Sequence, residues 1–392
     1  MTMLTAPILY LMKIFLITLS ILILFSFRNC FVSGENQHTL THSDSTLIIS
    51  ISVVGDIMCH APQFEYARVG IDSFDFNPTF RMVSEHLSKS DFTFGNLETV
   101  FAGKKSKYTG YPQFNSPNDL ADALKNAGFD LLTTSNNHSL DRGEEGIKKT
   151  IAELVRRNIN YNGTYIDQVD RDSIRLFNIK GITIAFLAYS YGTNGNPIPK
   201  GKSHLVNLIN YESIQRDMQA AKSKNPDIVL VHYHFGDEYK REPSDYQKEV
   251  VNKTIEMGAD IIIGGHPHVL QPIQFIKSEK SVLDSVFVAY SMGNFISNQR
   301  KRFTDAGGIL TLNISKNNFS KKISIENVEF TPTWVFKGNS GNKNEYVILP
   351  SISSMKDTSI NYLNKSQLKK INESINDSKE VIAKYSNPVI FK

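Results

Sequence analysis

Gly264-Gly265-His266-Pro267-His268 sets two imidazoles two residues apart, directly after the apolar run Ala259 to Ile263. On an extended segment such side chains point the same way, and the paired glycines let the backbone bend to present them. Histidine is the commonest protein metal ligand, so this spacing points to cation binding. His232 and His234, flanking Tyr233, repeat the arrangement after Asp227 to Val231. One of them suffices as a ligand, and the other can hydrogen-bond behind it. Ser135-Asn136-Asn137-His138 follows Asp130 to Thr134; three amide or hydroxyl residues beside a histidine are costly to bury unless something binds them. Asp56 closes the run Leu47 to Val54 through Gly55, and Gly95-Asn96-Leu97-Glu98 follows Phe92 to Phe94. Taken alone, the first also fits a simple turn and the second a helix cap. His60, four residues after Asp56, reads equally as a ligand or as an exposed loop residue.

What these residues share is their place at the ends of apolar, β-branched runs. Ile182 to Ala188 and Val286 to Tyr290 are further runs of that kind, the latter ending in Ser291-Met292-Gly293-Asn294. Helical spacing lies between them, at Ile147, Ile151 and Leu154, at Tyr211, Ile214, Met218 and Ala221, and at Val250, Thr254 and Met257. Strands alternating with helices predict an α/β fold with a largely parallel sheet covered on both faces. In such a sheet the carboxyl ends of the strands gather along one edge, where ligands bind. The clusters at Asp56, Asn96 with Glu98, Asn137 with His138, His234, and His266 with His268 would then converge. An oxygen- and imidazole-rich pocket of this kind suits Zn²⁺, Mn²⁺ or Fe²⁺ rather than Ca²⁺. After Gly307 the pattern changes to paired strands, Ile309 to Ile314 and Ile323 to Phe330, which suits an antiparallel edge. The Lys-, Asn- and Ser-rich tail carries one amphipathic helix near Ser366 to Lys384. Phe74, Phe76, Phe80 and Phe92 read as core.

Six motifs in order carry a resemblance: Val54-Gly55-Asp56-Ile57-Met58, Gly95-Asn96-Leu97-Glu98-Thr99, Ser135-Asn136-Asn137-His138-Ser139-Leu140-Asp141, His234-Phe235-Gly236-Asp237-Glu238-Tyr239, Gly265-His266-Pro267-His268-Val269 and Tyr290-Ser291-Met292-Gly293-Asn294-Phe295. From about Ile49 to about Ile314 the chain resembles the poly-γ-glutamate capsule-synthesis (CapA-type) proteins, a branch of the calcineurin-like metallophosphoesterases. The resemblance implies a four-layer α/β sandwich, two mixed sheets flanked by helices, holding one or two divalent metals (Mn, Zn or Fe). It implies a metal-activated water as nucleophile and a histidine that protonates the leaving oxygen. Position by position, Asp56 matches the first metal-binding aspartate, Asn137 the asparagine ligand and His138 the general acid. His234 matches the mid-sequence histidine ligand, and His266 and His268 the closing pair. Two positions depart from the superfamily. Met58 stands where a histidine is usual, and Asn96 stands where an aspartate bridges the metals. A neutral amide does not offset the repulsion of two cations. Glu98, two residues on, would restore that charge from a shifted position; otherwise the site holds one metal. The expected site is therefore Asp56, Asn96, Glu98, Asn137, His234, His266 and His268 as ligands, with His138 and Asp56 catalytic. His60, His232, Glu238 and Asn294 are assigned to its surroundings.

With 43 basic and 39 acidic residues the formal charge is +4, which carries no nucleic-acid footprint. Cys30 and Cys59 are the only cysteines, which excludes a disulfide framework and a cysteine-ligated metal. Leu4 to Phe27 is almost wholly apolar. It reads either as a signal sequence starting at Met12-Lys13, with cleavage near Val32-Ser33-Gly34, or as an uncleaved anchor. Cys30 as a lipidation site lacks the small residues before it. The expected organisation is a signal or anchor at 1–34, a linker at 35–46, the CapA-type domain at 47–330, and a C-terminal extension at 331–392. The function expected is that of an exported, metal-dependent hydrolase or transferase of capsule or surface-polymer metabolism. Its substrate would be a surface polymer or a small phosphoester. The alternative is a non-catalytic scaffold or polymer-binding subunit of a membrane capsule-synthesis complex.

Overall fold

The computed structural model describes residues 46–340, 343–351, 363–385 and 388–392. The expected leader (1–34), Cys30 and all of the linker except Thr46 lie outside the described residues. Among the described residues fifteen strands form two sheets. In chain order they are β1 (Thr46–Ile57), β2 (Phe92–Leu97), β3 (Leu131–Thr133), β4 (Asn160–Asn162), β5 (Arg175–Ile179), β6 (Ile182–Ser190), β7 (Ile228–His234) and β8 (Ile261–Gly265). There follow β9 (Ile273–Lys277), β10 (Ser285–Ala289), β11 (Asn294–Ile296), β12 (Ala306–Asn317), β13 (Ile323–Ser340), β14 (Lys343–Pro350) and β15 (Val389–Phe391).

The nine-stranded sheet runs β14-β13-β12-β1-β2-β3-β4, with β11 on β1 and β15 on β13. The six-stranded sheet runs β5-β6-β7-β8-β10-β9. Both are mixed: β1 is parallel to β2 and antiparallel to β12, while β10 is parallel to β8 and antiparallel to β9. Ile49, Ile51 and Val53 of β1 meet Ile184 and Phe186 of β6 and Ile261 and Ile263 of β8 between the sheets. The opposite faces are covered by helices. Helix Tyr211–Lys222 buries Ile214, Met218 and Ala221, and helix Asp245–Met257 buries Val250 and Val251, against the outward residues of β6, β7 and β8. Helix Asp119–Asn126 turns Leu120, Ala121 and Leu124 onto the other sheet. The result is four layers, helix, sheet, sheet and helix, as the resemblance implies.

Strand–helix alternation alone predicts one sheet, whereas the strands divide between two. Each run is apolar on both faces, and the second face can be covered by another sheet as well as by helices. Nor do β12 and β13 form an edge. β12 pairs with β1 in the middle of its sheet, and β13 and β14 extend it. Residue 330 lies inside β13, and β14 and β15 both pair with that strand. Helix Lys365–Ile382 adds Ile371 to the cluster of Trp334, Phe336, Val347 and Leu349.

Two rows of polar residues result from strand register. Across the first sheet, Asn294, Asp56, Asn96 and Thr133 are successive partners. Across the second, Ser190, His234 and Gly265 are partners. Except for Asn294, which opens β11, both rows lie at the carboxyl ends of parallel strands, where the doubly wound rule puts a ligand.

Candidate metal centre

β1 continues past its apolar run because Asp56 and Ile57 keep pairing, with β2 on one side and β11 on the other. A side chain at Gly55 is impossible there, since its Cβ would lie 1.9 Å from the Gly293 carbonyl oxygen. Asp56 is completely buried. Its Oδ1 accepts from Asn96 Nδ2 (2.8 Å), and its Oδ2 lies 3.2 Å from both the His266 backbone N–H and His268 Nδ1. Burial alone would raise the Asp56 pKa, but the His268 hydrogen bond and the neighbouring imidazoles hold it well below the usual carboxylate range.

In β7, alternation sends Tyr233 out among the helices and both His232 and His234 inward. His234 Nδ1 lies 3.1 Å from Asn96 Nδ2, and its Nε2 lies 2.8 Å from Asn137 Oδ1. Burial drives it down to about 3, so the ring is neutral, as a ligand must be. His232 is buried with Nδ1 unpartnered, and burial together with His234 lowers it to about 3.

The closing pair is not extended. His266 has φ 95° and His268 φ 59°, both in the positive region that residues with a Cβ rarely adopt. Strain of this kind, of order 1–3 kcal/mol per residue, concentrates where geometry serves a site. Gly264 and Gly265 lie within β8, and their service is close approach rather than bending. A Cβ at Gly264 would sit 2.0 Å from the Tyr290 carbonyl oxygen, and one at Gly265 would sit 2.7 Å from Asp56 Oδ1. The two imidazole rings nevertheless converge, with centroids 5.9 Å apart. His268 Nδ1 is 3.1 Å from Asn294 Oδ1, whose amide nitrogen is committed to Thr304 O (2.8 Å) and Gln299 (3.0 Å). Burial works against the charge on His268, yet the Glu98 carboxylate and the Asp56 hydrogen bond raise it to about 9. His266 goes the other way, to about 2, through burial and the neighbouring imidazoles, and its Nδ1 has no partner.

Glu98 lies at the centre. It is fully buried, and neither carboxylate oxygen has a hydrogen-bond partner. Its Oε1 is 3.5 Å from His234 Nε2 and 3.8 Å from His268 Nε2. Burial, reinforced by the charge of Asp56, raises it to about 8. An orphaned carboxylate among imidazoles is what a cation site requires, because an ion would satisfy oxygens that nothing else reaches. Two triads share this residue: Glu98, His234 and His266, and Asp56, Glu98 and His268, with ligand atoms within 4.8 Å of one another in each. The donor set therefore fits divalent metal.

Asn96 takes a different part from the one expected. Its Oδ1 faces away from the centre and accepts from Asn136 Nδ2 (3.1 Å), whose orientation is set by Leu97 O (2.7 Å). The Asn96 amide N–H groups then face Asp56 and His234, so it donates toward the centre and offers it no oxygen. His60 starts helix Ala61–Ala67, its backbone N–H bonded to Gln63 Oε1 (2.8 Å), and belongs to none of the described clusters that could hold a metal. His138 is buried, with Nδ1 2.7 Å from Asp141 Oδ2 and its ring edge-on to Phe114.

Three residues at the site were given no part in the sequence reading, although Asp141 lies within one of the six motifs. Asp141 orients His138. Asn194 Oδ1 accepts from Asn137 Nδ2 (3.1 Å), and its own Nδ2 lies 3.4 Å from His138 Nε2. The Tyr191 ring stands 4.5 Å from that of His266. Tyr191 and Asn194 follow β6 directly, so the strand-end regularity that exposed the other clusters would have found them too. A cavity of about 620 Å³ elsewhere is lined by Arg171, His204, Arg216 and Asp217, but its Arg171 is already held by Asp217 at 2.5 Å.

The family described as "Bacterial capsule synthesis protein PGA_cap" matches residues 50–299. The "PGA biosynthesis protein CapA" of Bacillus subtilis (strain 168) is 29% identical over 287 residues, covering 72% of this chain and 72% of that one. The "Capsule biosynthesis protein CapA" of Bacillus anthracis is 29% identical over 258 residues, covering 64% of this chain and 60% of its own length. Among solved structures, Haemophilus influenzae NAD nucleotidase aligns at a TM-score of 0.46 with 14% identity, covering 88% of this chain and 64% of that one. The calcineurin-like phosphoesterase YfkN of Bacillus subtilis aligns at 0.41 with 14% identity, covering 87% and 99%.

Proposed function

The chain belongs to the bacterial capsule synthesis protein family, and from that membership we propose that it is an exported, metal-dependent hydrolase or transferase of capsule or surface-polymer metabolism. The observation that carries the enzymatic part is Glu98, a completely buried carboxylate with both oxygens unpartnered between two histidine-containing triads. Divalent cations held by Asp56, Glu98, Asn137, His234, His266 and His268 would polarise a phosphoryl or amide oxygen and lower the pKa of a water. Glu98, common to both triads, would supply the negative charge that Asn96 lacks. Asn96 fixes Asp56 and His234 through its amide hydrogens.

His138 is the proton donor. Asp141 holds its Nδ1, which leaves Nε2 to serve the leaving oxygen. Asn194 lies against that nitrogen, so the leaving group takes its place when the substrate is seated. The substrate class is a phosphoester, or an amide of a polyglutamate-like polymer in keeping with the relatives' names. Among the described residues no helix is long and apolar enough to cross a membrane; the proposed export is supported by the apolar run Leu4 to Phe27 in the sequence.

Elemental analysis of the purified chain tests the reading, beside a His266→Ala, His268→Ala double variant and with a screen of phosphoesters and γ-glutamyl peptides. Bound transition metal that is lost in the variant, with turnover lost alongside it, is the expected result. No metal after reconstitution with Mn²⁺ and Zn²⁺ overturns the enzyme reading and leaves a scaffold.

A further inference from the structure

We propose that Glu238 is a second bridging carboxylate, closing the metal centre from the solvent side and holding its second cation. The inference rests on the metal-centre reading above and deepens it. Glu98 reaches the two triads from the buried floor. A third group, Glu238, His266 and His268, also has its ligand atoms within 4.8 Å of one another. It takes one histidine from each triad. Glu238 is the exposed member, and His266 and His268 are buried. His266 is 3% exposed, and its Nδ1 is one of the few buried polar atoms without a partner.

The loop that carries Glu238 is built to stay over these histidines. Gly236 turns it at φ 110°, and a Cβ there would fall 2.4 Å from the Gln247 side chain. Past the turn, the Tyr239 backbone N–H donates to Pro267 O (2.8 Å), the residue between the two histidines. The Tyr239 ring lies 6.2 Å from that of His268. Among the described residues Glu238 forms no ion pair, and the side chain that hydrogen-bonds to it is its loop neighbour Tyr239.

Charge balance asks for such a group. Two dications a few ångströms apart repel strongly, and a bridging anion is what offsets that repulsion. With Asn96 neutral, Asp56 and Glu98 are the only acidic residues of the two inner triads. Glu238 adds a third negative charge on the open side. The first cation needs only an inner triad, so removing Glu238 should weaken the second cation, whose charge it offsets, and spare the first.

The test is a Mn²⁺ titration of the full-length chain after chelator stripping. It is read by calorimetry, by metal content after dialysis, and by the electron paramagnetic resonance signature of an exchange-coupled Mn²⁺ pair. The wild type takes up two equivalents and shows the coupled signal. Glu238→Gln keeps the first equivalent and weakens the second by about tenfold or more, with the signal of isolated ions. Glu238→Asp, which keeps the charge but shortens the reach, recovers part of the second. Glu238 is exposed, so unchanged melting of the stripped proteins verifies that the fold is intact. One equivalent in the wild type, or two of unaltered affinity in Glu238→Gln, overturns the role of Glu238 while leaving a metal centre. No Mn²⁺ in the wild type overturns the centre itself.

Discussion

Glu98→Gln should make the metal-stripped protein more stable and remove its stabilisation by metal. Glutamine has nearly the shape of the glutamate, and both side chains place unpartnered polar atoms in the same buried spot, so that cost cancels. What remains is the proton. Glu98 sits at about 8 in the folded chain against an ordinary 4.5. At pH 7 the unfolded chain carries it ionised, whereas burial and the Asp56 charge push it toward the protonated form in the folded chain, a difference of up to about 3 kcal/mol against folding that the His268 charge partly offsets. The sign follows from a raised carboxyl. The wild type's disadvantage is absent below pH 4.5, grows by about 1.4 kcal/mol per pH unit, and levels off above pH 8. In chelator at pH 7, differential scanning calorimetry should find the variant higher by up to roughly 6 °C, at about 2 °C per kcal/mol. Saturating metal reverses the order. A ligand at a thousand times its Kd stabilises the wild type by about 4 kcal/mol, and the variant lacks the residue common to both triads. A variant that melts at or below the wild type in chelator, or that gains as much from Mn²⁺, would refute the reasoning.

His138→Ala should lower turnover by about 10²–10⁴-fold, the usual worth of a positioned acid, with metal content unchanged because His138 is in neither triad. Equal activity in that variant removes His138 from the mechanism. Asp217→Asn should destabilise the fold by about 3–5 kcal/mol in urea unfolding, since Arg171, 8% exposed, loses its bidentate partner and keeps a buried charge. A loss below about 1 kcal/mol would mean that water or Asp172 takes over the guanidinium.

Much of the architecture is legible along the chain because local physics marks it. The β-branched runs at Leu47, Ile182 and Ala259 are too apolar to lie anywhere but in buried strands, and polar residues at their ends must meet at one edge. The helices at 143–156, 211–222 and 245–257 announce themselves by their spacing. The short helices at 61–67 and 84–89 do not, because each buries too few residues to impose a period. The division of strands between two sheets is equally silent, since a run buried by a second sheet reads the same as one buried by helices.

Residue types at the site were determined by sequence: imidazoles at 232, 234, 266 and 268, carboxyls at 56 and 98, amides at 96, 137 and 294. Their roles were decided by tertiary structure. Asn96 and Asn137 are both amides at strand ends. One turns its nitrogen to the centre because Asn136 occupies its oxygen; the other turns its oxygen because Asn194 takes its nitrogen. Burial of Glu98 without a partner, and the placing of His266 and His268, likewise depend on segments more than a hundred residues apart meeting, as where His234 stands beside Glu98 and the His266 backbone N–H reaches Asp56. An amide's direction and a carboxyl's proton are set by whichever neighbours the fold supplies, and those neighbours are remote in the chain.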